Sequence, residues 1–246
     1  MIPLKLFKYK AFDRNSLSML INKEIYFAPP EELNDPYDCQ IDINQSLNVA
    51  IGMAPTEIKK ELAKYLQAQD LLQRINSDAK AAGIFSLSGK PLDMKMWTHY
   101  ASNHTGFCIG FQLSDYFLKY NEKEKIIGTS PVYYSKSNPF IDFFGKIAVN
   151  PEKPKYEEFW ATLLNLSLIA KSETWLEEEE CRITRAEPGL VSFSPSEIKE
   201  ITFGAHMSIE DRKTIKNIVS GVAWEHIEFY EVSNDLSSFD IKKKPL

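Results

Sequence analysis

The sequence predicts an α+β fold in a single domain, on three observations. Short segments that alternate apolar and polar residues are typical of strands and recur along the chain. Longer segments carry apolar residues at helical spacing, notably residues 55–82 and 156–169. No repeat, low-complexity stretch or linker-like change in composition divides residues 1–246. We therefore expect one domain with mixed sheets, a buried central helix and a helical insertion.

The composition is that of an ordinary globular protein. Of 246 residues, 43% are hydrophobic and 26% charged, so a sizeable core is available. The net charge of −5 argues against the broad positive surface of a basic nucleic-acid-binding domain. The three cysteines are far apart and lack zinc-ligand spacing, which favours a reducing, cytoplasmic setting. No apolar run is long enough to predict a membrane span.

The first thirty residues predict a strand, a short helix and a second strand. Residues 4–9 alternate imperfectly between apolar and polar side chains, as a short strand does. Asn15 or Ser16 is expected to cap the helix, since both side chains can accept a hydrogen bond from a free backbone amide. Residues 24–28 form the second strand, which two prolines then end.

A polar turn follows at residues 33–38. Asn34 and Asp35 stand directly before a proline, and such side chains bond to nearby backbone amides in turns. Two interpretations stay open at this point. The turn only satisfies its own backbone, or it also forms one wall of a site.

The middle of the chain predicts a long helix, a strand and a more polar helix. Residues 55–82 carry an incomplete apolar stripe at helical spacing and form the helical insertion. Residues 84–88 alternate like a strand. Asp93 is then expected to cap the second helix.

The second helix carries aromatic and histidine side chains. Met96, Tyr100 and His104 are four residues apart and share one face, with Trp97 beside it. His99 and His104 lie about 140° apart around a regular helix, so they do not jointly predict a metal site. Tyr100 or His104 remains a candidate for the lining of a cleft.

The last half of the chain predicts alternating strands and helices. Residues 106–111 form a buried strand and residues 130–135 another. Residues 136–155, rich in proline and asparagine, are expected to be a long loop that serves as a lid or an insertion. Residues 156–169 are apolar almost all round, which is typical of a buried central helix.

Four strands and a helix complete the chain. The strands are expected at residues 179–185, 190–193, 200–203 and 227–232. The helix lies before the last of them, with Ser208 as its amino-terminal cap.

Residues 171–182 concentrate more ionisable side chains than any other stretch. If the chain is extended from Glu178, the two-residue period places Glu178, Glu180 and Arg182 on one face. Lys171 lies just upstream. This face is our first candidate for a site; an exposed acidic run that ends in a strand is the alternative.

Four polar motifs together form a more specific pattern than any one of them. They are Phe-Lys-Tyr at 7–9, Asn-Asp-Pro-Tyr-Asp at 34–38, Met-Trp-Thr-His-Tyr-Ala at 96–101, and Trp-x-x-Glu-x-Glu-x-Arg at 175–182. The pattern resembles a bacterial family known as domain of unknown function 2971. The resemblance covers most of the chain, and the family name implies no chemistry.

The order of motifs and strands also resembles, more distantly, ADP-ribosyltransferases of the DNA-targeting toxin branch. That resemblance implies NAD as substrate without a metal, and a nucleic acid or protein as target. It also implies a toxin or phage-defence role with an antitoxin or defence partner. Glu180 and Glu178 would be catalytic, and Tyr100 or Trp97 would stack on nicotinamide. The residues implied in NAD binding are Lys8, Tyr9, Asn34, Asp35, Trp97, Tyr100, His104, Lys171 and Arg182.

Two other hypotheses fit the same residues. In a metal-dependent nuclease, Asp35, Asp38, Glu178 and Glu180 would bind magnesium through oxygen while Lys171 polarised a phosphate. In a non-catalytic binding module, the polar motifs would form a buried network that fixes the fold.

Overall fold

A computed structural model describes residues 5–150, 155–234 and 240–246. Helices and strands alternate through these residues and build an α+β fold, as the sequence predicts. The α-helices of the described residues are α1 (Arg14–Asn22), α2 (Ile43–Met53), α3 (Thr56–Ala63), α4 (Gln69–Ala81), α5 (Met94–Tyr100), α6 (Asp115–Leu118), α7 (Pro139–Val149), α8 (Tyr156–Ile169) and α9 (Ile209–Ile218). The strands are β1 (Leu6–Lys10), β2 (Glu24–Phe27), β3 (Gly83–Ser88), β4 (Phe107–Phe111), β5 (Ile126–Pro131), β6 (Tyr133–Ser135), β7 (Ala170–Ser172), β8 (Glu180–Arg185), β9 (Gly189–Ser192), β10 (Ile198–Phe203), β11 (Glu228–Asn234) and β12 (Ile241–Pro245).

The main sheet has eight strands in the order β12-β11-β10-β4-β1-β3-β8-β5. Its neighbours are antiparallel except β10 and β11, which are parallel. Two small sheets lie beside it, antiparallel β2–β9 and parallel β6–β7. The sheets are therefore mixed, and β1 lies at the middle of the largest one.

Three clusters of buried apolar side chains hold the layers together. One packs the main sheet against α1, α9 and the β2–β9 sheet, and includes Leu20, Phe107 and Ile215. A second, formed chiefly by the helices α2, α3, α4, α7 and α8, is the helical part of the molecule. The third is small and surrounds Trp97, which is completely buried. Burial of this apolar surface is the main favourable term in folding.

The helical part contains more and shorter helices than the spacing of its apolar residues predicts. The expected helix at residues 55–82 is two helices, α3 and α4, with a 3-10 turn at Lys64–Ala68 between them. Ahead of them stands α2, whose cap Asp42 accepts a hydrogen bond from the Gln45 amide at 3.0 Å. The helical part of the molecule thus contains more helices than the sequence predicts.

The prediction of a long loop at residues 136–155 is wrong over most of that range, because these residues form α7. Asn138 caps α7 through its side chain, and Pro139 stands at the first helical position. Proline suits that position, since its missing N–H has no partner in the first turn anyway. Phe140 and Phe144 of α7 are fully buried. Residues 151–154 of the expected loop lie outside the described residues.

Helix α8 contributes one face to the helical core. Phe159, Leu163 and Leu168 are buried, whereas Thr162 and Asn165 between them are exposed. The helix runs directly into β7 at Ala170. It thereby supports the start of the acidic stretch from inside the molecule.

Several element boundaries differ from those expected. The cap of α1 is Asp13, whose side chain accepts from the Ser16 amide at 2.8 Å, and not Asn15 or Ser16. The single strand expected at residues 130–135 is two strands, β5 and β6, in different sheets. The first strand begins at Leu6, and residue 4 lies outside the described residues. Asp93 caps α5 as predicted.

Ser208 caps α9 as predicted, with its hydroxyl accepting from the Asp211 amide at 3.1 Å. Ser208→Ala leaves that amide without its partner and should lower the free energy of unfolding by about 1 kcal/mol in urea titration. Ser208→Asp keeps an acceptor and should cost much less. Equal losses in the two variants would contradict this role for the hydroxyl.

The main sheet is open at its centre, between β1 and β3. These strands share one residue pair, Phe7 with Ser88, whereas β1 pairs with β4 over all five of its residues. Further along the same edge of β3, Ala28 directly after β2 bridges to Ile84, while β8 pairs along the other edge. The junction of β1, β2 and β3 therefore leaves room for a cleft.

A candidate ligand cleft at the centre of the sheet

A cleft of about 870 Å³ lies along the junction of β1 and β3. Its walls come from these strands, β2, one face of α1 along its whole length, the 32–34 turn and α5. Ligand pockets in proteins usually measure about 300–1,000 Å³ and join apolar walls to a few polar groups. Tyr26, Leu190, Met96 and Phe7 supply apolar surface to this one.

Seven of the eleven site residues expected from the sequence line this cleft. They are Lys8, Tyr9, Asn34, Tyr100, Lys171, Glu178 and Glu180. Tertiary structure thus brings together side chains from four separate parts of the chain. The other four, Asp35, Trp97, His104 and Arg182, do not line it.

The acidic stretch folds differently from the extended chain expected, yet it groups the same side chains. Residues Glu173–Glu178 form a 3-10 helix, and Glu179 takes a left-handed conformation with φ of 42°. Only from Glu180 is the chain a strand. The reversal at Glu179 turns its own side chain outward, 55% exposed, and leaves Glu178 and Glu180 on the cleft.

Lys171 joins the two cleft carboxylates. Its Nζ donates to Glu178 Oε2 at 2.7 Å and to Glu180 Oε2 at 2.8 Å. The side chain is only 6% exposed, and the ring of Trp175 lies 5.0 Å from Nζ. Burial acts to lower the pKa of Lys171, but the two carboxylates outweigh it and raise the pKa, so the lysine stays charged.

Arg182 lies beneath these groups and is completely buried. It donates to Glu180 Oε1 at 2.7 Å, to Asp38 Oδ2 at 2.9 Å and to the Leu168 carbonyl at 2.8 Å. Such a cation is stable in the interior only while its carboxylate partners remain. Its position excludes direct contact with a ligand in the cleft. Arg182 therefore holds Glu180 in place and does not line the cleft, where the resemblance implied contact with NAD.

Glu180 is held in its ionised form. Burial acts to raise its pKa, but the charge and hydrogen bonds of Arg182, together with Lys171, lower it to about 2. Asp38 differs, since burial raises its pKa in spite of Arg182 and Lys171. Its Oδ1 is buried and has no hydrogen-bond partner among the described residues.

Glu178 is the more accessible of the two cleft carboxylates, with 11% of its side chain exposed. The Tyr100 hydroxyl donates to Glu178 Oε1 at 2.6 Å. Burial, followed by this bond to Glu178, raises the pKa of Tyr100, which keeps the phenol as a donor. Asn34 also lines the cleft, so the polar turn does reach it.

Strand β1 contributes two lysines to the cleft. Lys8 donates to the Ser86 carbonyl at 2.7 Å, and Lys10 stands two residues further along β1. Among the described residues, neither lysine forms an ion pair, and both line the cleft. Tyr9 between them points its hydroxyl away to the Lys90 carbonyl at 2.7 Å.

Three expected residues serve the scaffold in place of the cleft. Trp97 is fully buried, with its ring edge against Tyr9 at 5.2 Å between centroids, so it is not placed to stack on a ligand. His104 stacks on Trp97 at 6.1 Å. Asp35 accepts from the Tyr37 amide at 2.9 Å, which is the backbone-satisfying role of a turn residue.

Sequence reasoning missed Tyr134 and Ser88. The Tyr134 hydroxyl accepts from the Glu180 amide at 2.8 Å, and the Ser88 hydroxyl donates to the Glu178 carbonyl at 2.7 Å. Both hold the backbone of the two carboxylates. Ser88 lies on a strand recognised from its alternation, but nothing in the sequence marks either hydroxyl as part of a site.

The cleft carboxylates are bound by cationic side chains. In the described parts of the chain, no group of three or more His, Cys, Asp or Glu side chains is arranged to hold a metal ion. Lysine and arginine hydrogens take up the Glu180 oxygens that a magnesium ion would need.

No helix among the described residues is both long and apolar enough to cross a membrane.

The fold and the cleft define an α+β protein with an ion-paired cleft at the centre of its main sheet. Within it, residues 96–183 match the model of a family described as protein of unknown function (DUF2971). This match runs from α5 into β8 and includes Tyr100, Lys171 and Glu180. It is shorter than the resemblance drawn from the motifs, since residues 7–9 and 34–38 lie outside it. No curated protein and no solved structure matches the chain.

Proposed function

We propose that the cleft binds NAD and that the protein transfers ADP-ribose from it to a second molecule. The observation that carries this proposal is the pair of carboxylates, Glu178 and Glu180, held side by side on the cleft by Lys171. Breaking the bond between nicotinamide and ribose builds positive charge on the sugar. A fixed carboxylate that faces this charge stabilises it, as in glycoside hydrolysis.

The two carboxylates have different surroundings and take different roles. Glu180 directs its oxygens to Lys171 and Arg182, so it fixes the positions of these cations. Glu178 is the more exposed, and among the described side chains its carboxylate accepts from Tyr100 and Lys171 alone. Glu178 is therefore the carboxylate that faces the sugar. Its partners hold it in one place before any ligand arrives.

The charge distribution along the cleft also suits a dinucleotide. Lys10 and one face of α1 line the cleft at a distance from Glu178 and Glu180, beside the Asp13 carboxylate that caps α1. Lys10 forms no ion pair among the described residues, and a lysine cation favours phosphate. A molecule with an anionic pyrophosphate and a cationic nicotinamide riboside fits this separation of charge. The target is a nucleic acid or a protein, and a toxin or phage-defence role would require a neutralising partner.

The proposal is tested by incubating the protein with NAD labelled in the adenosine part. We expect nicotinamide release and transfer of label to DNA, RNA or protein supplied together. Glu178→Gln keeps the shape but removes the charge, and should lower the rate about 10²–10³-fold. Glu177→Gln, an exposed neighbour outside the cleft, is the matched control and should retain the wild-type rate.

One observation favours a second candidate, a non-catalytic binding module. The side-chain hydrogen bonds to the Glu180 carboxylate all come from Lys171 and Arg182, as in a network that only fixes the fold. In that case, Glu178→Gln and Glu180→Gln would change only the melting temperature, and NAD would not raise it. No nicotinamide release from the wild-type protein, with every target class present, contradicts the transferase proposal.

A further inference from the structure

Lys8 occupies an unusual place in the cleft. It lies near the centre of the main sheet, on β1, beside the opening between β1 and β3. Its Nζ donates to the Ser86 carbonyl at 2.7 Å and lies 4.9 Å from the centre of the Phe85 ring. A backbone carbonyl and an aromatic face attract the ammonium form of Lys8 less strongly than a carboxylate in an ion pair would.

The charged groups around Lys8 come from three parts of the chain. Lys10 on its own strand and Lys171 repel a proton on Nζ, while Glu178 and Glu180 attract it. Both carboxylates, however, are already engaged by Lys171. Burial is the largest influence and, with Lys10, lowers the pKa of Lys8 to about 7. In a substantial fraction of the molecules, the Lys8 side chain is then a neutral amine near neutral pH.

We propose that Lys8 is the general base that activates the acceptor in the transfer reaction. This inference rests on the proposed function and adds a residue and a chemical requirement to it. The acceptor must carry a proton on oxygen or nitrogen that is lost during transfer. An acceptor entering the cleft meets the amine on one wall and the carboxylate pair on another.

The step balances without a further reactant. The bond between the ribose carbon and nicotinamide breaks, and nicotinamide leaves with the bonding electrons. The acceptor oxygen or nitrogen forms the new bond to that carbon, and its proton passes to Lys8 Nζ, which becomes an ammonium ion. Solvent removes this proton before the next turnover. A base works best when its pKa lies near the working pH.

Other cleft residues are less suited to this role. Lys171 is held in its charged form by two carboxylates, and the Tyr100 hydroxyl is committed to Glu178. Glu180 is already paired with two cations. His99 also lines the cleft, but its side chain is exposed, so it serves as the comparison residue.

The protonation of Lys8 can be measured without any assumption about NAD. Competitive acetylation of the intact protein with acetic anhydride, followed by mass spectrometry, gives the reactivity of each lysine against pH. Lys8 should become half-maximally reactive near pH 7. Lys59, an exposed lysine on α3, is the internal control and should do so at higher pH. A Lys8 curve that coincides with the Lys59 curve overturns the inference.

Its role in the reaction is measured by the pH dependence of label transfer from NAD. The wild-type rate should rise through about pH 7, and Lys8→Ala should lower it about 10²–10⁴-fold. Added ethylamine should partly restore the rate of Lys8→Ala, which a purely structural lysine would not allow. His99→Asn should keep the wild-type pH profile. Loss of that rise in His99→Asn, or no rescue by ethylamine, overturns the inference.

The two measurements separate the failure of the inference from that of the proposed function. Normal transfer with an ordinary Lys8 reactivity leaves the transferase in place and removes Lys8 as its base. A reactive Lys8 with no transfer in the wild-type protein removes the transferase, and with it this role for the amine.

Discussion

Arg182→Met should lower the free energy of unfolding by about 3–5 kcal/mol, the largest effect we expect from one substitution. Arg182 is completely buried, and its guanidinium reaches both Glu180 and Asp38. Methionine fills part of the space but leaves two buried carboxylates without this cation. It also removes the donor to the Leu168 carbonyl at the end of α8. Urea denaturation followed by circular dichroism measures the loss.

A second substitution separates charge from packing. Adding Glu180→Gln to Arg182→Met removes one stranded charge and should recover part of the loss, giving a coupling energy in a double-mutant cycle. Arg74→Met is the control, because its side chain is 75% exposed and its ion pair with Asp78 is long, at 3.9 Å. Its cost should stay within about 0.5 kcal/mol. Similar losses for Arg74→Met and Arg182→Met would contradict the buried network.

The second large effect is a loss of stability in acid that depends on Glu180. The folded protein holds the pKa of this carboxyl at about 2, below the ordinary value of 4.5. A carboxyl with a lowered pKa stabilises the fold above its unfolded pKa, and the stabilisation disappears as pH falls through the folded value. The gap corresponds to about 3 kcal/mol, lost between about pH 5 and pH 2.

Comparison with Glu180→Gln isolates this contribution from other carboxyls. The wild-type protein should exceed the variant in unfolding free energy at pH 7, and the difference should shrink towards pH 2 as Glu180 takes up a proton. Glu157→Gln, on the exposed face of α8, should show no such dependence. A difference between wild type and Glu180→Gln that stays constant with pH would show that Glu180 is not held ionised.

Local patterns in the sequence predict most of the strands and the caps of two helices. Asp93 and Ser208 are recognised because a capping side chain acts on amides only two or three residues away. Helix α7 is missed because proline is taken as a breaker, although Asn138 and Pro139 together are a good helix start. The strand β12 is also missed, since Lys242–Lys244 look like a solvated tail.

The site is predicted in part for a similar reason. Residues 171–182 bring Lys171, Glu178 and Glu180 close together in sequence, and the fold keeps them together. The backbone conformation differs from the expected one. An extended strand was expected to place Glu178 and Glu180 on one face, but the left-handed conformation of Glu179 does so. Contacts with Asp38 and Tyr100 join residues far apart in the chain. No local pattern predicts contacts between residues so far apart in the chain. Asp38 and Tyr100 are indicated only by the polar motifs at residues 34–38 and 96–101.

The most direct test of the account is a crystal structure of the wild-type protein with a non-hydrolysable NAD analogue, in which carbon replaces the ribose ring oxygen. We predict the analogue in the cleft between β1 and β3, with its nicotinamide riboside beside Glu178 and its pyrophosphate towards Lys10. An analogue bound elsewhere, or an empty cleft at saturating analogue, would contradict it.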